Sequence, residues 1–193
     1  MLIVISHSDP VERESYYIEK FLNEGADYFH IRKPALPSSE VETLIKKIPE
    51  NLLSKISIHN NYHLLGKYNI GGIHFTSKSK HLLSDYQNSL LRKSISCHSF
   101  EEITELPSYI DYTFLSPVFN SISKENYSGK FNSEETKNFL SKKFDFEIVA
   151  LGGISNNNIE KTVQLGFKNA AVLGVIWETP DNTLILKELK KYV

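Results

Sequence analysis

Short apolar runs alternate with stretches of helical periodicity along the chain. Runs at 2–6, 28–32, 56–59, 72–75, 94–98, 112–115, 147–151 and 169–173 predict strands, and amphipathic stretches at 11–23, 39–48, 133–142, 157–165 and 182–192 predict helices between them. Strands that alternate with helices pair in parallel, because each connection has to return the chain to the same end of the sheet. About eight such units is the count of an α/β (β/α)8 TIM barrel, and 193 residues then imply one small domain, 1–193, with short helices and loops. A doubly wound open sheet is the competing architecture, but no GxGxxG follows the first strand, where its dinucleotide-binding form needs one. The stretch KSKHLLSDYQNSLLRK between the fourth and fifth strands has poor periodicity and is expected to be partly loop.

Parallel strands bring their downstream ends to one rim, where folds of this class place their sites. Five of the seven histidines stand at or near such ends: His7, His30, His59, His74 and His98. Glycines mark the last two ends. In EIVALGGISNNNIEKTVQLGFKNAAVLGVIW a buried strand runs into Gly152 and Gly153, a helix is expected to open at Ser155 or Asn156, and the next strand ends at Leu173 and Gly174. Glycines there let main-chain N–H groups approach a phosphate, and tight strand-to-helix turns are the plainer explanation of the same residues. The loop after the sixth strand carries Ser121, Ser123 and Lys124, whose hydroxyls and ammonium suit phosphate oxygens.

Composition narrows the partners. Hydrophobic residues make up 40%, charged residues 23%, and the net charge is -1, with no basic excess for nucleic acid. No apolar run reaches membrane-spanning length, the first ten residues lack the charged lead of a signal peptide, and one cysteine forms no internal disulfide. A cytoplasmic protein is expected.

Several blocks together resemble the thiamine phosphate synthase/TenI family: FHIRK at strand two, IHNNYHLLGKYNIGGIHF across strands three and four, SISCHS at strand five, DYTFLSPVFNSISK at strand six, and VALGGIS with AAVLGVI at strands seven and eight. The resemblance implies a small barrel that binds thiazole phosphate. In the family's synthases a pyrimidine diphosphate loses its diphosphate, the resulting cation is captured by the thiazole nitrogen, and Mg²⁺ and basic residues neutralise the leaving group. It also implies roles for Arg32 in the strand-two motif, for Ser121, Ser123 and Lys124 in the diphosphate loop, and for Gly152, Gly153, Leu173 and Gly174 around the thiazole phosphate. His30, His59, Asn60 and Ser96 are expected to contact substrate.

The chain departs from the synthase pattern at the metal. An Asn-Asp pair after strand three reads His59-Asn60 here, and the second metal carboxylate aligns with Ser79. Magnesium prefers anionic oxygens, so no cofactor is expected unless the chain is an active synthase. The motif glutamine is His30, and the motif lysine falls on Pro34 unless Lys33 serves from one position earlier. TenI proteins lack the metal carboxylates and aromatise a carboxythiazole phosphate by tautomerisation, with acid–base chemistry implicated at a strand-five histidine that matches His98.

Imidazole suits proton transfer near neutral pH, which makes His98 the expected general acid–base. His30 and Arg32, two apart on a strand, share a face, so His30 should line the barrel one layer below Arg32. His7 and His74 are expected to be structural, and His63 and His81 to lie outside the site. No metal site is expected, because zinc barrels of the hydrolase type carry an H-x-H pair and carboxylates that are missing here. Cys97 faces away from His98 and should be core.

The leading expectation is therefore a thiazole tautomerase using His98. Its alternatives are a thiamine phosphate synthase and a non-catalytic barrel that binds a phosphorylated metabolite to regulate a partner. The ligand expected is a phosphorylated thiazole, joined by a pyrimidine diphosphate for the synthase, and self-association is left open.

Overall fold

A computed structural model describes residues 1–119, 131–179 and 182–193. Eight parallel strands close into a barrel in chain order: β1 (Leu2–Ile5), β2 (Tyr28–Ile31), β3 (Ile56–His59), β4 (Gly72–Phe75), β5 (Arg92–Cys97), β6 (Tyr112–Leu115), β7 (Glu147–Ala150) and β8 (Asn169–Val172). β1 pairs with β2 through Ile3 and Tyr28 and with β8 through Leu2 and Ala170, so the sheet has no free edge.

Five of these strands are buried at every residue and the other three at all but one or two, as parallel strands covered on both faces must be. Their outward side chains, among them Leu2, Val4, Phe29, Ile31, Ile58, Ile73 and Cys97, pack into the outer core under the helices. Three long helices contribute an apolar stripe each: α1 (Glu14–Asn23) with Ile18, Phe21 and Leu22, α2 (Ser38–Lys46) with Val41 and Ile45, and α7 (Asn182–Lys190) with Leu186 and Leu189. Between them in sequence come α3 (Phe100–Thr104), α4 (Ser133–Leu140), α5 (Ile159–Gln164) and α6 (Gly174–Trp177). None of the described helices is long and apolar enough to cross a membrane.

The strands fall within two residues of where the hydrophobic pattern puts them. Helix starts moved more. The aperiodic stretch after β4 forms a 3₁₀ segment, Lys80–Tyr86, and β3 connects to β4 through a 3₁₀ turn at Tyr62–Leu64. The helix expected to open at Ser155 or Asn156 opens at Ile159 instead. Asn158 Oδ1 accepts the Ser155 N–H at 2.8 Å and its Nδ2 donates to the Gly153 carbonyl at 2.7 Å, which holds the residues before the helix as a turn. Likewise α1 waits until Glu14, because Arg13 sits in the left-handed region at φ 57°.

The turn after β7 depends on one glycine. Gly152 has φ 97°, and a Cβ there would lie 2.8 Å from both Cα and Cβ of Pro117. Gly152→Ala is expected to destabilise the fold by roughly 2–4 kcal/mol, through backbone strain and overpacking together. Gly66, whose added Cβ would meet nothing within 4 Å, is the control, and its Ala variant should unfold close to the parent urea midpoint.

Candidate active site

Side chains alternate across each strand, so a closed barrel sends every second residue inward, where it has to fill the lumen. Here the filling is lopsided. β6, β7, β8 and β1 supply an apolar arc of Tyr112, Phe114, Val149, Ala171, Ile3 and Ile5. The opposite arc, β2 to β5, carries His30, Ser57, His59, His74 and Ser94, all buried. Gly72, the inward residue of β4 below His74, leaves room for a cation. A Cβ there would stand 2.2 Å from Ser57 Oγ and 3.0 Å from Arg92 Nη2. Arg92 crosses that space, lies 3.6 Å from the centre of the Tyr28 ring, and donates to the Ile56 carbonyl and Ser57 Oγ at 3.4 and 3.2 Å.

Above Arg92 the three histidines converge. His30 Nδ1 and His59 Nε2 are 2.9 Å apart, and His30 Nε2 meets the Tyr112 hydroxyl at 2.6 Å. His74 is held at both nitrogens, Nδ1 by Ser94 Oγ and Nε2 by Ser96 Oγ, each at 2.8 Å, and its ring stacks on His59 with centroids 4.1 Å apart. Burial holds all three imidazoles neutral. It takes His74 to about 3 and drives His30 and His59 well below the usual histidine range, with the neighbouring imidazoles and the guanidiniums of Arg32 or Arg92 pushing the same way. With neutral rings, the chain Tyr112–His30–His59 satisfies donors and acceptors in either of two directions. One ring nitrogen from each of the three lies within 4.8 Å of the other two, so these residues could hold a metal ion.

The rim stands on this layer. His30 lines the lumen one layer below Arg32, as the shared strand face requires, while Arg32 itself is exposed and donates from Nη1 to Ser8 Oγ at 3.1 Å. Asn60 follows His59, exposed and left-handed at φ 57°. Ser96 is half-buried and engaged with His74. His98 is exposed just beyond β5. Its Nδ1 lies 2.8 Å from the Ser116 carbonyl, an acceptor only, so Nδ1 carries the proton and the neutral ring keeps its basic lone pair on Nε2. Its main-chain N–H donates to Glu102 Oε2 at 2.7 Å, which anchors it to the start of α3. Cys97 faces the outer core, as expected, and burial pushes its thiol up.

After β7 and β8, Gly152 and Gly153 both take positive φ, 97° and 64°, and Leu173 precedes α6, which Gly174 opens. Ser121, Ser123 and Lys124 lie outside the described residues. Lys33 does not stand in for the motif lysine at the rim. Its Nζ is 2.7 Å from Oε2 of Glu14, the first residue of α1, and donates to the Asp9 carbonyl at 2.8 Å, with both charged side chains buried. The positions that match the family's metal carboxylates do not fit magnesium. Asn60 is neutral, and Ser79 Oγ is spent on the Thr76 N–H at 3.0 Å and the Tyr62 hydroxyl at 3.1 Å.

The sequence pattern puts Arg32, Asn60, Ser96 and His98 near the downstream strand ends, where the fold has them, but does not bring the trio together. His74 was expected to be structural, and the metal reading looked for an H-x-H pair on one strand. In the fold, one histidine comes from each of three adjacent strands, with His59 paired to His74 and His30 paired to Ser57. Inward parity on β2, β3 and β4 was the available signal.

The chain is a (β/α)8 barrel with glycine turns after its last two strands, and exposed Arg32 and His98 stand at the downstream strand ends, where proteins of this fold carry their sites. Comparison with known proteins makes this particular. The family model described as thiamine monophosphate synthase (TMP-TENI) matches residues 1–176, and the chain belongs to that family. A thiamine-phosphate synthase of Flavobacterium psychrophilum is 24% identical, with 97% of this chain and 96% of the relative covered. One from Serratia proteamaculans is 25% identical over 89% of this chain and 84% of the relative. Among solved structures, a thiamine phosphate pyrophosphorylase from Bacteroides thetaiotaomicron superposes with a TM-score of 0.81 at 29% identity, covering 99% of this chain and 96% of the other. Another, from Pyrococcus furiosus, superposes at 0.80 with 20% identity over 99% and 94%, which speaks to the fold alone.

The neutral trio has a consequence for stability. Each histidine is protonated more easily in the unfolded chain than in the barrel, so the unfolded state binds more protons as pH falls below about 6.5. Stability should therefore be full above that pH and drop on acidification, by up to about 1.4 kcal/mol per pH unit for each histidine. Urea midpoints at pH 7.5, 6 and 5, in chelator, check this. His74→Gln should flatten the slope, and an unchanged slope would mean that His74 is not held neutral.

Proposed function

We propose that the chain is a thiamine-phosphate synthase-type transferase acting on a pyrimidine diphosphate and a thiazole phosphate. The observation that carries this reading is the end-to-end match to relatives named for that activity, 96% of the Flavobacterium synthase being covered. It places the synthase ahead of the tautomerase that the sequence put first. In this reaction the bond from the pyrimidine methylene to the diphosphate oxygen breaks, the thiazole nitrogen supplies the electron pair for a new C–N bond, and diphosphate leaves.

Arg32, exposed at the end of β2, is the described guanidinium available to the leaving diphosphate, and Ser121, Ser123 and Lys124 are assigned to the same group by sequence. Main-chain N–H groups at Gly152, Gly153 and Gly174 are assigned the thiazole phosphate, with Leu173 beside them. The residues at 60 and 79 leave neutralisation of the diphosphate mainly to basic side chains rather than to a protein-held magnesium ion.

The missing carboxylates favour one further reading, a thiazole tautomerase in which His98 Nε2 takes a proton from one ring position and returns it to another. It needs the same phosphate turns and no metal.

Both substrates should be assayed with and without Mg²⁺. The synthase reading expects thiamine phosphate and pyrophosphate in equal amounts, with Arg32→Ala lowering kcat/KM roughly 100-fold, in the range of one lost charge-assisted contact. No coupling, together with aromatisation of carboxythiazole phosphate that His98→Ala abolishes, would replace it with the tautomerase. Tight thiazole phosphate binding without turnover in either assay would leave a non-catalytic binding protein.

A further inference from the structure

We propose that His30, His59 and His74 form an internal site for a divalent transition-metal ion of the zinc class. The site is separate from the magnesium positions of the rim and does not depend on the synthase reading.

Three features carry it. The first is the donor set: three imidazoles on adjacent strands, with ligand-capable nitrogens within 4.8 Å of one another and one pair already at 2.9 Å. Zinc–imidazole bonds of about 2.0–2.1 Å in a tetrahedral site put the nitrogens roughly 3.3 Å apart, which small side-chain rotations reach from here. The second is the outer shell. Metal-bound histidines usually hydrogen-bond through the nitrogen that does not bind the ion, which fixes ring and tautomer. His30 does so from Nε2 to the Tyr112 hydroxyl at 2.6 Å, and His74 from Nδ1 to Ser94 Oγ at 2.8 Å. The first contact leaves His30 Nδ1 facing His59 Nε2 at 2.9 Å, and the second leaves His74 Nε2 as the nitrogen for the ion.

The third is the surroundings. The trio is buried and walled by Phe114, whose ring centroid lies 5.0 Å from that of His30 and 4.9 Å from that of His74. Imidazole nitrogens select zinc, copper, nickel or iron over magnesium. Three histidines leave a fourth coordination position open, and the Ser96 hydroxyl, 2.8 Å from His74 Nε2, has to release that nitrogen to the ion. Arg32 and Arg92 act electrostatically on the trio, and no carboxylate among the described residues does, so an anionic oxygen at the open position completes the charge balance.

The test is titration of the full chain, stripped with chelator, by Co²⁺ followed by Zn²⁺. The expected result is a visible d–d band of low-coordinate Co²⁺ that saturates at one equivalent, is displaced by Zn²⁺, and accompanies a rise in Tm that grows with metal concentration. His59→Asn and His30→Gln should abolish the band and weaken Zn²⁺ binding more than about 100-fold, beyond the usual cost of an outer-shell change. Tyr112→Phe, which keeps the ligands and the ring packing, should weaken binding roughly 10–100-fold. His63→Ala and His81→Ala should change nothing. No band in the parent protein at saturating Co²⁺ would overturn the proposal, as would a band that survives in folded His59→Asn or disappears with His63 or His81.

Discussion

The inside of a closed eight-stranded barrel has to be filled, and in this chain half of it is filled with imidazole, hydroxyl and guanidinium groups. Burying them is tolerable only because each finds a partner: His30 between Tyr112 and His59, His74 between two serines, Arg92 against Tyr28, Ser57 and main-chain carbonyls. Loss of one partner would leave a buried polar group unpaired, at a cost of about 1–3 kcal/mol. The histidines remain neutral for the same reason. A charge at that depth meets no carboxylate among the described residues, and the neighbouring guanidiniums oppose it.

The rim inherits its geometry from that layer. Arg32 stands two residues beyond His30, just past β2, Asn60 directly after His59, and Ser96 and His98 beyond Ser94 at the end of β5, so the groups proposed for the site follow strands whose inward residues are tied together. On the far side the glycine turns after β7 and β8 complete the rim, where Gly152 lets the chain pass against Pro117. The same layer accounts for the departure from the synthase pattern. A His–Asn pair follows β3 in place of Asn–Asp. The histidine is drawn into the lumen network, and the asparagine brings no charge to the rim.

Much of this was legible in the sequence because its causes are local. Strand positions follow from apolar runs covered on both faces, and the inward parity of His30 and Arg32 follows from the two-residue strand period. The rim glycines and the family were legible for the same reason, being carried by contiguous motifs. The trio was not, since it depends on the register of three strands that are far apart in sequence, and His74 looks like any strand-end histidine until β3 and β4 are aligned. Lys33 was equally ambiguous. Only the position of α1 shows that its partner is Glu14. The late start of α5 reflects a side chain, Asn158, that competes with the helix for main-chain partners, which periodicity does not register.

The most direct test of the neutral, linked histidine layer is ¹⁵N NMR of the imidazole side chains in chelator-treated protein between pH 7.5 and 5. Three of the seven histidines should keep the neutral pattern at pH 5, and these should be His30, His59 and His74 by assignment. Protonation of all seven imidazoles across that range would show that the lumen is open to water and that the layer does not hold as described.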